Sequence, residues 1–182
     1  MKVETTKLPG VLKITPDAFE DQRGFFFESF RAERYEAHGI PGHFAQDSVS
    51  HSRHGVLRGL HFQWPKAQGK LVYVLQGEVF DVAVDVRPDS KTFRQWAGHR
   101  LSAQNREQLW IPPGYAHGFC VLSDSALFAY KCTTPYDAAS EMAIRWDDPD
   151  LAIGWPIHAP MLSHKDVAAP RLREIDPKRL PR

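Results

Sequence analysis

Apolar positions in this chain come in short runs broken by Gly, Pro, Asp and Ser, and strands account for most of them. Val11 to Ile14, Lys70 to Leu75, Val79 to Val86, Phe93 to Leu101, Leu109 to Ile111, Phe119 to Leu122 and Ala126 to Cys132 carry the β-branched and aromatic residues that suit extended backbone. Gln76-Gly77 has the chemistry of a tight turn, as do Thr15-Pro16-Asp17 and Arg87-Pro88-Asp89-Ser90. In Val79 to Val86 the positions Phe80, Val82, Val84 and Val86 share one face and Asp81 and Asp85 the other, the pattern of a half-buried strand. Phe25, Phe26 and Phe27 suit a strand with one aromatic face in the core and one at a surface or interface, and Phe26 is assigned to the core. The segment from Phe44 to Ser52 is polar. Arg31 to His38 is the best helical stretch of the first half, ended by Gly39-Ile40-Pro41-Gly42. No full-length amphipathic helix fits between Phe44 and Thr133, so an all-β antiparallel sandwich or barrel is expected. Residues 146–182 are rich in Pro and charge, with a short helix near Lys165 to Ala169. They read as a C-terminal extension packed on the barrel of a single domain spanning 1–182.

One strand breaks the pattern. Val56-Leu57-Arg58-Gly59-Leu60-His61-Phe62-Gln63 sets an arginine and a histidine where a plain core strand carries Val or Ile, ending at Trp64-Pro65-Lys66 because proline cannot continue a central ladder. An unpaired guanidinium costs several kcal/mol to bury, and an unbonded imidazole roughly 1–3 kcal/mol. Both side chains should therefore face a polar cavity or a partner, although a lone core histidine can also be satisfied by a backbone carbonyl. Strict alternation places Leu57, Gly59 and Gln63 with His61 and puts Arg58 on the opposite face. A site that uses both charged groups needs a bulge at Gly59. Lys70 opens an otherwise apolar strand, as a site residue or a snorkelling edge lysine. Tyr130 shares a face with Phe128 and Cys132, as a site residue or a core aromatic. Pro112-Pro113-Gly114-Tyr115-Ala116-His117 fits the Pro-x-Gly-x-x-His turn of cupin barrels, which points its histidine inward. The companion motif would be His61-Phe62-Gln63, and it lacks a second histidine and a glutamate at the required spacing. At most two good ligands remain, so the barrel is read as metal-free.

Composition narrows the partners. With 182 residues, 25% of them charged, and a formal net charge of +1, the chain has no global field to draw nucleic acid or a membrane surface. Any anionic ligand must be held locally. Met1-Lys2-Val3-Glu4-Thr5 opens no apolar leader, and no run approaches the roughly 18 apolar residues of a membrane span, so a cytoplasmic enzyme is expected. Cys120 and Cys132 lie in apolar runs without a second pair, as buried free thiols.

Eight segments carry a family resemblance, in order and spacing: Asp21 to Phe26, Val56 to Gln63, Gln68 to Val72, Gly77 to Asp85, Trp110 to Phe119, Tyr130 to Thr133, Ile144 to Asp150 and Leu162 to Asp166. Together they resemble the dTDP-4-dehydrorhamnose 3,5-epimerases. The resemblance implies a cupin-type jelly roll with a few short helices, acting as a homodimer without a cofactor. The implied reaction inverts C3 and C5 of dTDP-4-dehydro-6-deoxy-D-glucose through enolates, giving dTDP-4-dehydro-L-rhamnose for dTDP-L-rhamnose biosynthesis. Relatives of the same fold that invert one carbon of a related 4-keto-deoxysugar are the alternative. By resemblance His61 is the base, Asp166 the carboxylate that orients it, Tyr130 the acid on the opposite face and Lys70 the group beside the enolate. Arg23 and Arg58 match diphosphate contacts, and Glu28 and Gln46 hydrogen-bond the thymidine part. Phe25 and Tyr136 flank its ring, and His117 contacts the sugar at the barrel mouth. The Arg23 segment is contributed across the dimer in that family. Ser48 stands where the family usually has Asn, and Thr134-Pro135 replaces a more usual Asp-Tyr, both near the sugar and thymine.

Overall fold

The computed structural model describes residues 1–182. Short strands dominate it: β1 (Lys2–Thr5), β2 (Leu12–Thr15), β3 (Ala18–Asp21), β4 (Gly24–Phe27), β5 (Gln46–Arg53), β6 (Leu57–Gln63) and β7 (Lys70–Gln76) in the first half. They are followed by β8 (Glu78–Asp85), β9 (Trp96–Ser102), β10 (Gln108–Ile111), β11 (Tyr115–Val121), β12 (Ser125–Cys132) and β13 (Glu141–Ala143). Helices are few and short: α1 (Ala32–Glu36), α2 (His164–Val167) and two 3-10 turns at Leu172–Glu174 and Pro177–Arg179.

The strands form a six-stranded sheet, in the order β1-β2-β10-β7-β12-β5, and a five-stranded sheet, in the order β13-β6-β11-β8-β9. All their ladders are antiparallel, and neither sheet closes on itself. The result is a jelly-roll-like sandwich rather than a closed barrel. Gln76-Gly77 does turn the chain, but it carries the chain from one sheet to the other instead of making a hairpin. Gly77 sits there at φ +81°, and a Cβ would lie 2.1 Å from the Ser125 carbonyl oxygen, so only glycine fits the corner.

Burial follows from two covered faces. Val72, Val74, Leu109, Ile111 and Phe128 of one sheet meet Val79, Ala83, Leu101, Phe119 and Val121 of the other in the sandwich interior. The outer face of the five-stranded sheet, with Leu57, Leu60, Phe62, Val82, Val84 and Ile144, is covered by Leu151, Trp155, Leu172, Ile175 and Leu180 of the tail. The half-buried reading of β8 therefore fails. Asp81 and Asp85 do oppose the Val82 face, but that side is buried too, and both are fully enclosed. Asp85 is held by Arg87 at 2.7 Å, Ser90 at 2.6 Å and Thr92 at 2.6 Å. These bonds outweigh the cost of burial and keep its carboxyl below the usual range.

The polar segment after Phe44 is mostly strand β5, which pairs with β12 along its whole length as the sheet edge. One other expectation, the core placement of Phe26, is corrected. Phe26 lies on the separate β3–β4 hairpin and is 70% exposed, beside exposed Phe19 and Phe25, because neither large sheet backs that hairpin. Cys120 and Cys132 are buried free thiols.

Candidate active site

A cavity of about 460 Å³ opens between the two sheets. Its walls come from β6 and β11 on one side and from β5, β7 and β12 on the other, with residues 161–166 at the rim. How both charged residues of β6 reach it is visible in the strand register. His61 pairs with His117 but Arg58 pairs with Phe119, so β6 carries one extra residue between them. The extra residue turns Arg58 onto the His61 face and leaves Leu57 and Leu60 on the opposite, outer core face. Gly59 makes this possible: it has φ +129°, and a Cβ there would lie 2.5 Å from the Gly118 Cα of β11.

His61 donates its Nε2–H to Asp166 Oδ1 at 2.5 Å, which leaves Nδ1 as the lone-pair nitrogen. Asp166 is 105 positions away in sequence. Backbone bonds bring it there: Met161 N–H donates to the Gly55 carbonyl and Leu57 N–H to the Met161 carbonyl, docking the chain before α2 against the start of β6. Asp166 is buried, yet its carboxyl stays below the ordinary range. Burial raises it, and the hydrogen bonds from His61 and Ser163 overcome that effect.

Across the cavity, Lys70 and Tyr130 project from β7 and β12. Burial disfavours the Lys70 ammonium and pulls its pKa below the ordinary lysine range. Cys132, its cross-strand partner, is pushed up by burial, with Lys70 opposing. His117 lies deeper than a turn at the mouth would place it. It sits inside β11, is buried, and its Nε2 bonds Asp81 Oδ2 at 2.8 Å. Phe128 and Phe119 stack at 4.1 Å beside it as an apolar floor. His61 and His117 are neighbours, but each Nε2 is committed to its own carboxylate. No group of three or more His, Cys, Asp or Glu side chains is arranged to hold a metal ion.

The rim is polar. Arg58 Nε donates to Ser52 Oγ at 3.0 Å, leaving the two terminal nitrogens to form a fork. Gln46 accepts from Tyr136 N–H at 2.7 Å and donates to Ser48 Oγ at 3.0 Å. Tyr136 donates through its hydroxyl to Glu141 at 2.8 Å, and Glu141 is also paired with Lys165 of α2. His61, Asp166, Lys70, Tyr130, Arg58, His117, Gln46 and Tyr136 thus share one cavity. Ser48 lies on the inward face of β5, opposite Tyr130, but does not line it. Arg23, Phe25 and Glu28 are elsewhere in this chain. The Arg23 side chain is 85% exposed and paired with Asp21, Phe25 is exposed beneath Arg106, and Glu28 is paired with Arg31 and Arg34.

Polar residues of the lining that escaped the sequence reading as site residues include Ser50, Gln63, Gln68, Glu141 and Ser163, with Asp81 behind His117. The buried Ser50 hydroxyl has no hydrogen-bond partner and borders the cavity. The spacing of Gln46, Ser48 and Ser50 would have pointed inward had the segment been read as a strand.

The family of dTDP-4-dehydrorhamnose 3,5-epimerases matches residues 5–174. A dTDP-4-dehydrorhamnose 3,5-epimerase of Pseudomonas aeruginosa is 54% identical over 178 residues, 97% of this chain and 98% of that one. Another, from Neisseria gonorrhoeae, is 53% identical over 92% of this chain, which spans only 52% of that longer protein. Among solved structures, a dTDP-6-deoxy-D-glucose-3,5-epimerase from Legionella pneumophila in complex with dTDP-4-keto-L-rhamnose superposes with a TM-score of 0.97. It is 54% identical and covers 100% of this chain and 97% of its own.

Proposed function

The chain belongs to the dTDP-4-dehydrorhamnose 3,5-epimerase family, and from that premise we propose how its cupin-type cavity converts dTDP-4-keto-6-deoxyglucose to dTDP-4-keto-L-rhamnose by inverting C3 and C5. The C4 ketone acidifies the hydrogens on both neighbouring carbons. Inversion then needs a base on one face of the sugar, an acid on the other and a group to hold the enolate oxygen between them.

The observation that carries this reading is the opposition of His61 and Tyr130. They stand on different sheets, across one cavity that also holds Lys70. His61 removes the proton through Nδ1, while Asp166 keeps the ring oriented and stabilises the imidazolium. Lys70 meets the enolate oxygen. Tyr130 delivers a proton from the other wall. Arg58 holds the diphosphate through its free fork, Ser50 and His117 meet the sugar, and Gln46, held from behind by Ser48, contacts the nucleoside together with Tyr136.

The remaining contacts come from a second subunit. We assign the working unit to a homodimer of single-domain chains, in which the β3–β4 hairpin of one subunit brings Arg23, Phe25 and Glu28 to the cavity of the other. The exposure of Arg23 and of Phe19, Phe25 and Phe26 on a hairpin outside both large sheets supports this. The test is turnover of dTDP-4-keto-6-deoxyglucose in D₂O. Deuterium at both C3 and C5 of a product with the L-rhamno configuration is expected; active preparations that incorporate none at either carbon would defeat the reading.

A further inference from the structure

Asp166 is held from two sides, and only one of them is His61. Its Oδ2 accepts the hydroxyl proton of Ser163 at 2.7 Å, while its own backbone N–H donates back to Ser163 Oγ at 3.2 Å. Ser163 is the N-cap of α2 and Asp166 its third residue, so a single serine both caps the helix and occupies the carboxylate oxygen that His61 leaves free. The torsion that turns a carboxylate is broad, and a buried carboxylate with one free oxygen could rotate off the imidazole. The Ser163 proton removes that freedom. It also draws charge from the carboxylate, so that Asp166 remains an acceptor when the imidazolium forms.

We propose that Ser163 is a positioning residue for the epimerisation, acting through Asp166 to fix the direction in which His61 presents Nδ1 to the substrate. The inference rests on the reading of His61 as the base. Ser163 itself moves no proton to or from the sugar.

A structural role and a positioning role separate in a three-variant series. Glycine caps a helix almost as well as serine, whereas alanine does not. Ser163→Gly therefore largely preserves the cap but removes the hydroxyl, Ser163→Ala removes both, and Ser163→Thr keeps both. Ser163→Gly and Ser163→Ala should each lower kcat roughly tenfold or more with KM within about twofold, the pattern of a lost supporting contact. Ser163→Thr should stay near wild type.

The acid limb of kcat/KM should also move to higher pH in the Gly and Ala variants. A carboxylate relieved of one donor carries more charge and holds the imidazolium more tightly. The other groups around the His61–Asp166 pair are Glu141 on β13, Lys165 on α2 itself, His117 on β11, Lys70, Tyr130 and Cys132 across the cavity and Arg58 on the same strand as His61. They are the same in every variant. Titration of the His61 imidazole by NMR reads the same displacement without turnover, so a failure of the epimerase reading would not hide the result. Wild-type kcat and an unmoved His61 titration in Ser163→Gly, or a Ser163→Thr variant as impaired as Ser163→Ala, would overturn the proposal.

Discussion

Lys70 shows at the scale of one residue how function and stability pull apart. Burial lowers its pKa below the unfolded value, so the unfolded chain binds the proton more readily. Charging Lys70 therefore works against folding below its folded pKa, and that penalty fades as pH rises toward the unfolded value. Lys70→Met keeps the volume and removes the charge. It should raise Tm, by roughly 2–4 °C for each kcal/mol recovered, and lower kcat roughly 10²–10³-fold as a lost oxyanion contact does. Thermal unfolding and steady-state kinetics on the same preparation check both. Alternation alone leaves Lys70 open between a snorkelling edge lysine and a site residue, and Tyr130 between core and site; their roles come from family resemblance. Asp81 was misread because period-two alternation reports two faces without saying what covers either. Phe26 failed for the complementary reason: an aromatic run looks the same in a core and on an unbacked hairpin.

Among the elements, β6 carries the site, and its extra residue is the critical feature. Without it Arg58 and His61 would point to opposite sides of the sheet. Gly59→Ala should be among the most damaging single substitutions, since a Cβ would meet the Gly118 backbone at 2.5 Å and the residue would be held at φ +129°. A loss of stability of about 2–4 kcal/mol is expected, in the range of strained or overpacked positions, together with loss of turnover. Denaturant unfolding measures the first, and a wild-type midpoint would show that the strand can relax. This bulge was legible in advance as a condition, because the two polar residues have the wrong parity for one cavity. Strand β5 was not legible. Gln46-Asp47-Ser48-Val49-Ser50-His51-Ser52-Arg53 faces the cavity side on one face and solvent on the other, so it never shows the apolar alternation that announces a strand.

For the whole molecule, the outline of a strand-rich sandwich followed from short apolar runs and their turns, but its sheet order did not, since pairings such as β10 with β2 join segments far apart in sequence. The exposed β3–β4 hairpin makes the assembly testable. On the proposed homodimer, Phe26→Arg should leave a monomer in sedimentation where the wild type sediments as a dimer, and mixing inactive Arg23→Ala with inactive His61→Asn chains should restore part of the activity through sites that combine two intact halves. The sandwich itself supplies the central claim, that its two walls act on opposite faces of one sugar. Tyr130→Phe in D₂O, followed by NMR at C3 and C5, tests this most directly. His61 alone should still exchange these hydrogens with solvent, returning deuterium to the face it came from. Inversion should fall by roughly 10²–10⁴-fold, the usual loss of a general acid. Inversion at the wild-type rate in Tyr130→Phe would contradict the account.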